Sequence, residues 1–324
     1  MGEDPPMRIC LITPAPRGSR KGNRISATRW ARILRGLGHR VDVLGRFDGG
    51  SYDACLALHA RRSYASIRGF RDLYPDRFLI LALTGTDLYG DIHTDRNAKA
   101  SLELADRFVL LQPDGEGELP KRLRNRAKVI YQSCERPAAV APRRGVFEVC
   151  VMGHLRPVKD PFRTEAASRL LPATSQIVVT HIGSALTERM AQRAVALSER
   201  NFRYEWRGEY PRWKALRVLG RSRLMVLTSK MEGGANVVSE ALACGVPVIS
   251  SRISGSIGML GGDYPGYFPV GDTKALAQLL IRVEEDSSFY ESLVAACSKQ
   301  AWIVDPELER ESWAKLLGEV EVKV

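Results

Sequence analysis

The sequence predicts an α/β protein of two domains, each a parallel sheet between helices. Three observations predict it. Short apolar runs of strand length alternate with segments of helical spacing along the whole chain. A length of 324 residues suffices for two domains of ordinary size. Residues 132–145 hold two prolines, Arg143 and Arg144 without periodicity, and read as an interdomain linker. The expected domains are residues 1–142 and 143–300. A C-terminal helix over 301–324, with Trp302 and Trp313, is expected to pack back at the domain junction.

In the first domain, residues 8–12 form a continuous apolar strand suited to the middle of a parallel sheet. A loop over 17–24 follows. The spacing of Trp30, Ile33, Leu34 and Leu37 then predicts a helix over 26–37, ended by Gly38. Residues 41–45 are the second strand. The loop does not spell Gly-x-Gly-x-x-Gly and no acidic residue ends the second strand, which counts against a dinucleotide site. Strands over 54–58, 78–83, 108–111 and 128–131 complete the sheet, with a short helix at 117–123.

Ligands of open parallel sheets bind beyond the carboxyl ends of the strands. Three polar loops therefore collect on one rim. They supply Lys21, Gly22, Asn23 and Arg24, then His59, Arg61 and Arg62, then Thr84, Gly85, Thr86 and Asp87. Taken singly, Arg61 and Arg62 also read as a solvated helix start, Asp87 as a helix cap and His59 as a rim residue. Together, the cations and amides suit a compact anion pocket, with His59 and Asp87 as candidate bases.

The second domain opens with a strand at 146–152, followed by Gly153-His154-Leu155-Arg156-Pro157-Val158-Lys159-Asp160. Strands at 177–181 and 202–206 and a helix at 186–199 come next. Residues 223–228 are a strand and 235–244 a helix, with Val238, Ala241 and Leu242 facing inward. Gly245 stops that helix and Pro247 opens the strand 248–250. Between strand and helix lies Glu232-Gly233-Gly234-Ala235-Asn236, a glycine loop whose amides face out at a helix N-terminus, where an anion such as a diphosphate is the natural occupant. Glu232 and Glu240 flank it. Carboxylates beside phosphate are costly unless they accept bonds from hydroxyls, so the pair points to a sugar nucleotide. A short strand at 267–272 and helices at 274–282 and 289–303 close the domain.

The net charge of +11 admits nucleic acid, but the basic residues are scattered without aromatic interleaving or a basic tail, so small anionic substrates are expected instead. No apolar run reaches the ~18 residues of a membrane span and the N-terminus is polar, so the expectation is a cytoplasmic protein without membrane partner. The six cysteines lack metal-ligand spacing, so neither a metal nor a disulfide is expected.

Glu232 and Glu240, with seven residues between them and the run 241–251 behind, resemble the donor site of the retaining glycosyltransferases of family four. That resemblance implies the GT-B fold: two Rossmann-like domains whose parallel sheets face a central cleft, with the C-terminal helix crossing back to the first domain. It implies that Glu240 holds the ribose hydroxyls and Glu232 a donor-sugar hydroxyl. The amides of Gly233, Gly234, Ala235, Asn236 and Val237 would hold the sugar and diphosphate. Family members carry Gly-Arg-Leu, three residues, then Lys-Gly. Lys159 matches, His154 stands at the arginine position, Asp160 at the glycine, and Arg156 supplies the missing cation.

Thr13-Pro14, Gly22-Asn23-Arg24, the stretches 58–63, 83–89 and 101–105, and Gly153-His154-Leu155-Arg156 together resemble the selenosugar synthases of selenoneine biosynthesis. This likeness implies transfer of GlcNAc or glucose from a UDP-sugar to selenophosphate, forming a carbon–selenium bond without a cofactor. It also implies functional coupling to a selenophosphate-producing enzyme. Lys159, Arg156 and the helix amides would stabilise the departing diphosphate; selenium, already anionic, needs no base. Two other readings stand beside it. One is a family-four glycosyltransferase with another small anionic, thiol or hydroxyl acceptor, and the other is a non-catalytic binder of a nucleotide or nucleic acid.

Overall fold

The structure, a computed structural model, describes residues 6–19 and 22–321. The candidate Lys21 lies outside the described residues. The chain divides into two compact units, Met1–Ser133 with Pro306–Val324, and Cys134–Asp305.

The first unit runs β1 (Arg8–Ile12), α1 (Gly22–Gly36), β2 (Arg40–Leu44), β3 (Ala54–Leu58), α2 (Tyr64–Leu73) and β4 (Phe78–Leu83). A π turn at Asp87–Asp91 leads into α3 (Ile92–Thr94), α4 (Arg96–Leu104), β5 (Arg107–Leu110) and β6 (Ala127–Val129). The six strands pair in the order β2-β1-β3-β4-β5-β6, each pair parallel. Side chains alternate along a strand, and here both faces are covered. Ile9, Leu11, Leu56, Leu58 and Ile80 join one core. Cys10, Ile12, Cys55, Ala57 and Leu79 join the other. This is why the strands read as unbroken apolar runs.

Two elements differ from expectation. Helix α1 begins at Gly22, so Gly22, Asn23 and Arg24 form its first turn and not a loop. Glycine and asparagine read locally as loop, but the buried Thr13 hydroxyl donates to the Asn23 carbonyl at 3.4 Å and ties that turn to the end of β1. The helix expected at 117–123 is two 3-10 turns, Pro113–Glu118 and Lys121–Arg126. Pro120 separates them, because a residue before proline is pushed to extended backbone, and Leu119 sits at φ −75°, ψ 144°.

The second unit runs β7 (Phe147–Met152), α5 (Arg163–Ser168), β8 (Ile177–Ile182), α6 (Glu188–Arg200), β9 (Tyr204–Trp206), α7 (Arg212–Arg221) and β10 (Leu224–Leu227). It continues through α8 (Asn236–Cys244), β11 (Val248–Ser251), α9 (Ser254–Leu260), β12 (Tyr267–Phe268), α10 (Thr273–Glu285) and α11 (Ser287–Gln300). Its sheet is ordered β12-β11-β10-β7-β8-β9 and is again parallel. The last strand is shorter than expected, since Pro269 has no N–H to extend the ladder.

The expected C-terminal helix over 301–324 is two pieces. Trp302 lies in a 3-10 turn, Ala301–Val304, and is 56% exposed. Helix Pro306–Glu321 belongs to the first unit, where fully buried Trp313 meets Trp30 edge-on with ring centroids 5.1 Å apart. Among the described residues no helix is long and apolar enough to cross a membrane.

Glu309 fastens this helix. Its buried carboxylate accepts from Trp30 Nε1 at 2.8 Å, and from Ser133 N at 2.9 Å and Oγ at 2.5 Å, with Arg29 Nε at 3.4 Å. Glu309→Ala takes the acceptor from those donors and the carboxylate from beside Arg29, and breaking such a buried pair costs about 3–5 kcal/mol. Glu309→Gln keeps an acceptor and should lose less. Urea unfolding followed by tryptophan fluorescence checks the order of the two variants.

Candidate active site

The polar side chains of the second unit gather beyond the C-terminal ends of β7, β8 and β10. Gly183 sits at φ +156° so close to β7's exit that a Cβ there would lie 2.0 Å from the Gly153 carbonyl oxygen. Beneath this contact, buried His181 donates from Nε2 to that carbonyl at 3.0 Å and accepts from the Tyr204 hydroxyl at Nδ1, 2.9 Å. His154 Nδ1 accepts from the Ser184 amide at 3.1 Å, so the neutral ring carries its proton on Nε2. His154, Lys159, Thr228 and Ser229 line one small cavity of about 10 Å³.

Lys159 ends a 3-10 turn, Pro157–Lys159, that closes at Asp160 with φ +44°. This left-handed backbone suits the glycine that the resemblance implies at this position; aspartate is among the few other residues that tolerate it. The Thr228 hydroxyl spans the carbonyls of Lys159 at 2.9 Å and Asp160 at 3.0 Å, and Lys230 N donates to Val158 O at 2.8 Å. The turn is thereby pinned to the exit of β10. Lys159 Nζ forms an ion pair with Glu232 Oε1, which also accepts from Ser229 Oγ at 2.6 Å. Gly255 holds the loop from behind, since a Cβ there would meet the Glu232 carbonyl oxygen at 2.2 Å.

Gly233, Gly234 and Ala235 deliver the chain to α8, whose N-cap, Ala235, makes no side-chain cap. Asn236 and Val237 therefore open the helix with amides that no capping side chain of Ala235 satisfies. Gly245 ends it at φ +69°, as expected. Glu240, 8% exposed, accepts from Arg212 Nε of α7 at 3.1 Å, and Arg212 Nη2 reaches Cys134 Sγ at 3.4 Å. Sequence reasoning missed Arg212, which stands 28 positions from its partner without a local signal. Arg156, half-buried at the head of the 3-10 turn, enters no ion pair with a described residue.

In the first unit, His59, Ala60, Thr84, Gly85 and Asp87 come together at the ends of β3 and β4. Fully buried Asp87 accepts from Ala60 N at 3.0 Å on one oxygen, and from Thr84 N at 3.0 Å and Gly85 N at 2.9 Å on the other. Both oxygens are occupied by amides that precede the turn Asp87–Asp91, so this carboxylate ties two loops together and neither caps the helix after it nor is free to act as a base. His59, at φ +74° and 2% exposed, lies 3.9 Å from Asp87 Oδ2 and 3.4 Å from the Thr86 hydroxyl. Burial holds its imidazolium below the ordinary value, against the opposing pull of Asp87.

Arg61 Nε lies 3.2 Å from Asp91 Oδ2, a partner that sequence reasoning also missed, while Arg62 is exposed. Arg24 is not part of this cluster. It lines a separate cavity beside α1, which none of His59, Arg61, Arg62 or Thr84 to Thr86 lines. Among the described residues no group of three or more histidines, cysteines or acids is placed to hold a metal ion.

Residues 136–301, just over half of the chain, match the family described as Glycosyl transferases group 1. The chain belongs to that family. Among solved structures this glycosyltransferase resembles Anabaena Alr3699/HepE in complex with UDP and glucose, with TM-score 0.76 and 17% identity over 97% of this chain and 100% of that one. It also resembles sucrose-phosphate synthase from Thermosynechococcus elongatus, with TM-score 0.77 and 15% identity over 98% and 100%. At such identities the likeness is one of fold, the GT-B pairing of two Rossmann-like units. N-acetyl-alpha-D-glucosaminyl L-malate synthase of Bacillus anthracis is 35% identical over 77 residues, which cover 24% of this chain and 20% of that protein. The match thus spans about a fifth of that relative's length.

His181 makes stability depend on pH. Burial pushes its pKa down to about 4 from 6.5, against the Gly153 hydrogen bond. Between those values the unfolded chain binds a proton that the folded chain refuses, so stability is full above pH 6.5 and falls as pH drops toward 4. The loss approaches ~3 kcal/mol. Urea midpoints from pH 7 to 4.5 should fall more steeply for the parent than for His181→Gln.

Proposed function

We propose that this glycosyltransferase moves a hexose, GlcNAc or glucose, from a UDP-sugar to selenophosphate, with the donor held by the second unit and the acceptor by the first. The observation that supports the donor half most is the Glu232–Lys159 pair beside the uncapped first turn of α8. A cation there neutralises a diphosphate, amides bind its oxygens, and Glu232 and Glu240 accept from sugar and ribose hydroxyls. The exposed Arg62, with Arg61, is offered to the selenophosphate anion; the amides of Ala60, Thr84 and Gly85 are already taken by Asp87.

In the reaction, a selenium lone pair attacks the anomeric carbon and forms the C–Se bond. The C–O bond to the diphosphate breaks, and its electron pair leaves with UDP. Lys159, Arg156 and the α8 amides stabilise the charge that builds on that diphosphate. His154, donating from Nε2, is a fourth contact on the donor side. No proton has to be removed from the nucleophile, which agrees with an Asp87 whose oxygens are already bonded. Loss of phosphate to water then leaves the selenosugar. A selenophosphate-producing enzyme would supply the acceptor; the reading includes no nucleic acid or membrane partner and no metal.

A second reading has its own support. The partial match to a synthase whose name specifies L-malate favours a small anionic acceptor that attacks through a hydroxyl. UDP release from UDP-GlcNAc and UDP-glucose, measured with selenophosphate, L-malate and a thiol panel, and mass spectrometry of the product, separates the two. A selenium-bearing hexose supports the first reading, and a glycosylated hydroxy acid with no selenium product replaces it.

Glu240→Ala should weaken UDP binding by about ten- to a hundredfold, the worth of a hydrogen bond to a charged group. It also frees Arg212, so the fold should be checked by thermal melting. Unchanged UDP affinity by calorimetry would remove Glu240 from the site.

Replacing Arg61 and Arg62 by alanine should raise the selenophosphate concentration needed for half-maximal UDP release and leave UDP affinity near parental. A parental acceptor curve makes both arginines a solvated face.

A further inference from the structure

Glu240 lies on α8 in a run, Val238 to Ala243, that is buried throughout. Its side chain is only 11% exposed, a costly place for a lone carboxylate. The compensating charge is Arg212, the first residue of α7, whose Nε donates to Glu240 Oε1 at 3.1 Å. Pro211 gives α7 no side-chain cap and the first turn holds no acid, so a guanidinium there faces the positive end of the helix dipole. That placement is unfavourable by itself. The Glu240 carboxylate, arriving from α8, offsets it.

A guanidinium can offer two parallel N–H groups to both oxygens of one carboxylate. Here the second group goes elsewhere, since Arg212 Nη2 donates to Cys134 Sγ at 3.4 Å. Cys134 is buried and fixed by its own amide, which donates to Val304 O at 3.0 Å, while its thiol donates to Glu135 O at 3.4 Å. Sulfur thus takes one arm of the fork, and the bond from Arg212 to Glu240 is made at Oε1. Two anchors set the plane of the guanidinium. The carboxylate is oriented with it, and Oε2 stays outside that bond.

We propose that Arg212 is a positioning residue of the donor site, which, with Cys134 on its second N–H, turns Glu240 so that Oε2 meets the ribose hydroxyls of the nucleotide. In this role, which rests on Glu240 holding the ribose as proposed above, Arg212 acts through the carboxylate and does not touch the nucleotide. An ionised carboxylate accepts hydrogen bonds and donates none, so the pair selects a ribose over a sugar that lacks both hydroxyls.

Calorimetry on the full chain with UDP and with 2′,3′-dideoxy-UDP tests the assignment. The parent should bind UDP at least about tenfold tighter than the dideoxy ligand. In R212A and R212Q that ratio should fall below about threefold, because UDP affinity drops while dideoxy-UDP affinity stays within about twofold of parental. Thermal melts check that each variant folds. In the E240A background, R212A should weaken UDP binding no further. C134S keeps an acceptor for Nη2 and should hold the parental ratio, whereas C134V lets Nη2 turn onto Oε2 and should lower it. A parental ratio in R212A and R212Q overturns the role of Arg212. So does an equal loss for both ligands, which would make the arginine a direct contact or a support of the fold. A parental ratio in C134V overturns the part given to Cys134. If the parent itself binds the two ligands alike, Glu240 is not at the ribose, and the donor reading falls together with this one.

Discussion

The ion pair between Lys159 and Glu232 is the contact on which the strand-end cluster of the second unit depends. It joins the turn after β7 to the loop after β10, two segments that the sheet brings side by side because β7 and β10 are neighbours. Backbone contacts carry the precision. The Thr228 hydroxyl holds two carbonyls of the turn, and Gly255 lets α9 press against the Glu232 backbone where no side chain would fit. A lysine held so is already oriented before any anion arrives. Its partner carboxylate offsets its charge in the meantime, which lowers the cost of keeping a cation in a partly desolvated pocket.

The first unit solves a different problem with the same topology. Asp87 spends its charge on three amides from two loops, a network that fixes the ends of β3 and β4 relative to each other. That network also sets the backbone beside His59, whose positive φ is sustained only where surroundings over-determine it. Buried and depressed in pKa, His59 is neutral at pH 7, so the positive charge of this rim comes from Arg61 and Arg62.

The strands were legible because parallel sheets covered on both faces demand unbroken apolar runs, and helix α8 because a glycine loop, an inward stripe of Val238, Ala241 and Leu242, and Gly245 all agree. Tertiary pairings were not legible. Arg212 reaches Glu240, and Glu309 reaches Trp30 and Ser133, across separations that leave no trace in local spacing. The loop over 17–24 was misjudged for the opposite reason: Gly22 and Asn23 carry a strong local loop signal, and a single bond from Thr13 outweighs it. With that turn helical, Arg24 falls on the stripe with Thr28 and Arg35 instead of beside the His59 rim.

The surplus of positive charge acquires a physical sense from these placements. The first unit presents two separate sets of guanidinium groups, Arg61 with Arg62 and Arg17 with Arg24 and Arg35, and the second presents Lys159 with Arg156. Of these, Lys159 is tied to a carboxylate in close contact and Arg61 lies near Asp91, whereas no acid stands among the described residues that line the cavity with Arg17. A cation matched by a carboxylate binds an incoming anion only by exchanging partners, which favours ligands with hydroxyls to satisfy the displaced acid. A cation without one binds the anion by charge alone. A carboxylate-paired lysine therefore suits the sugar-bearing diphosphate proposed for the donor loop, whose hydroxyls can satisfy Glu232 once its partner turns to phosphate.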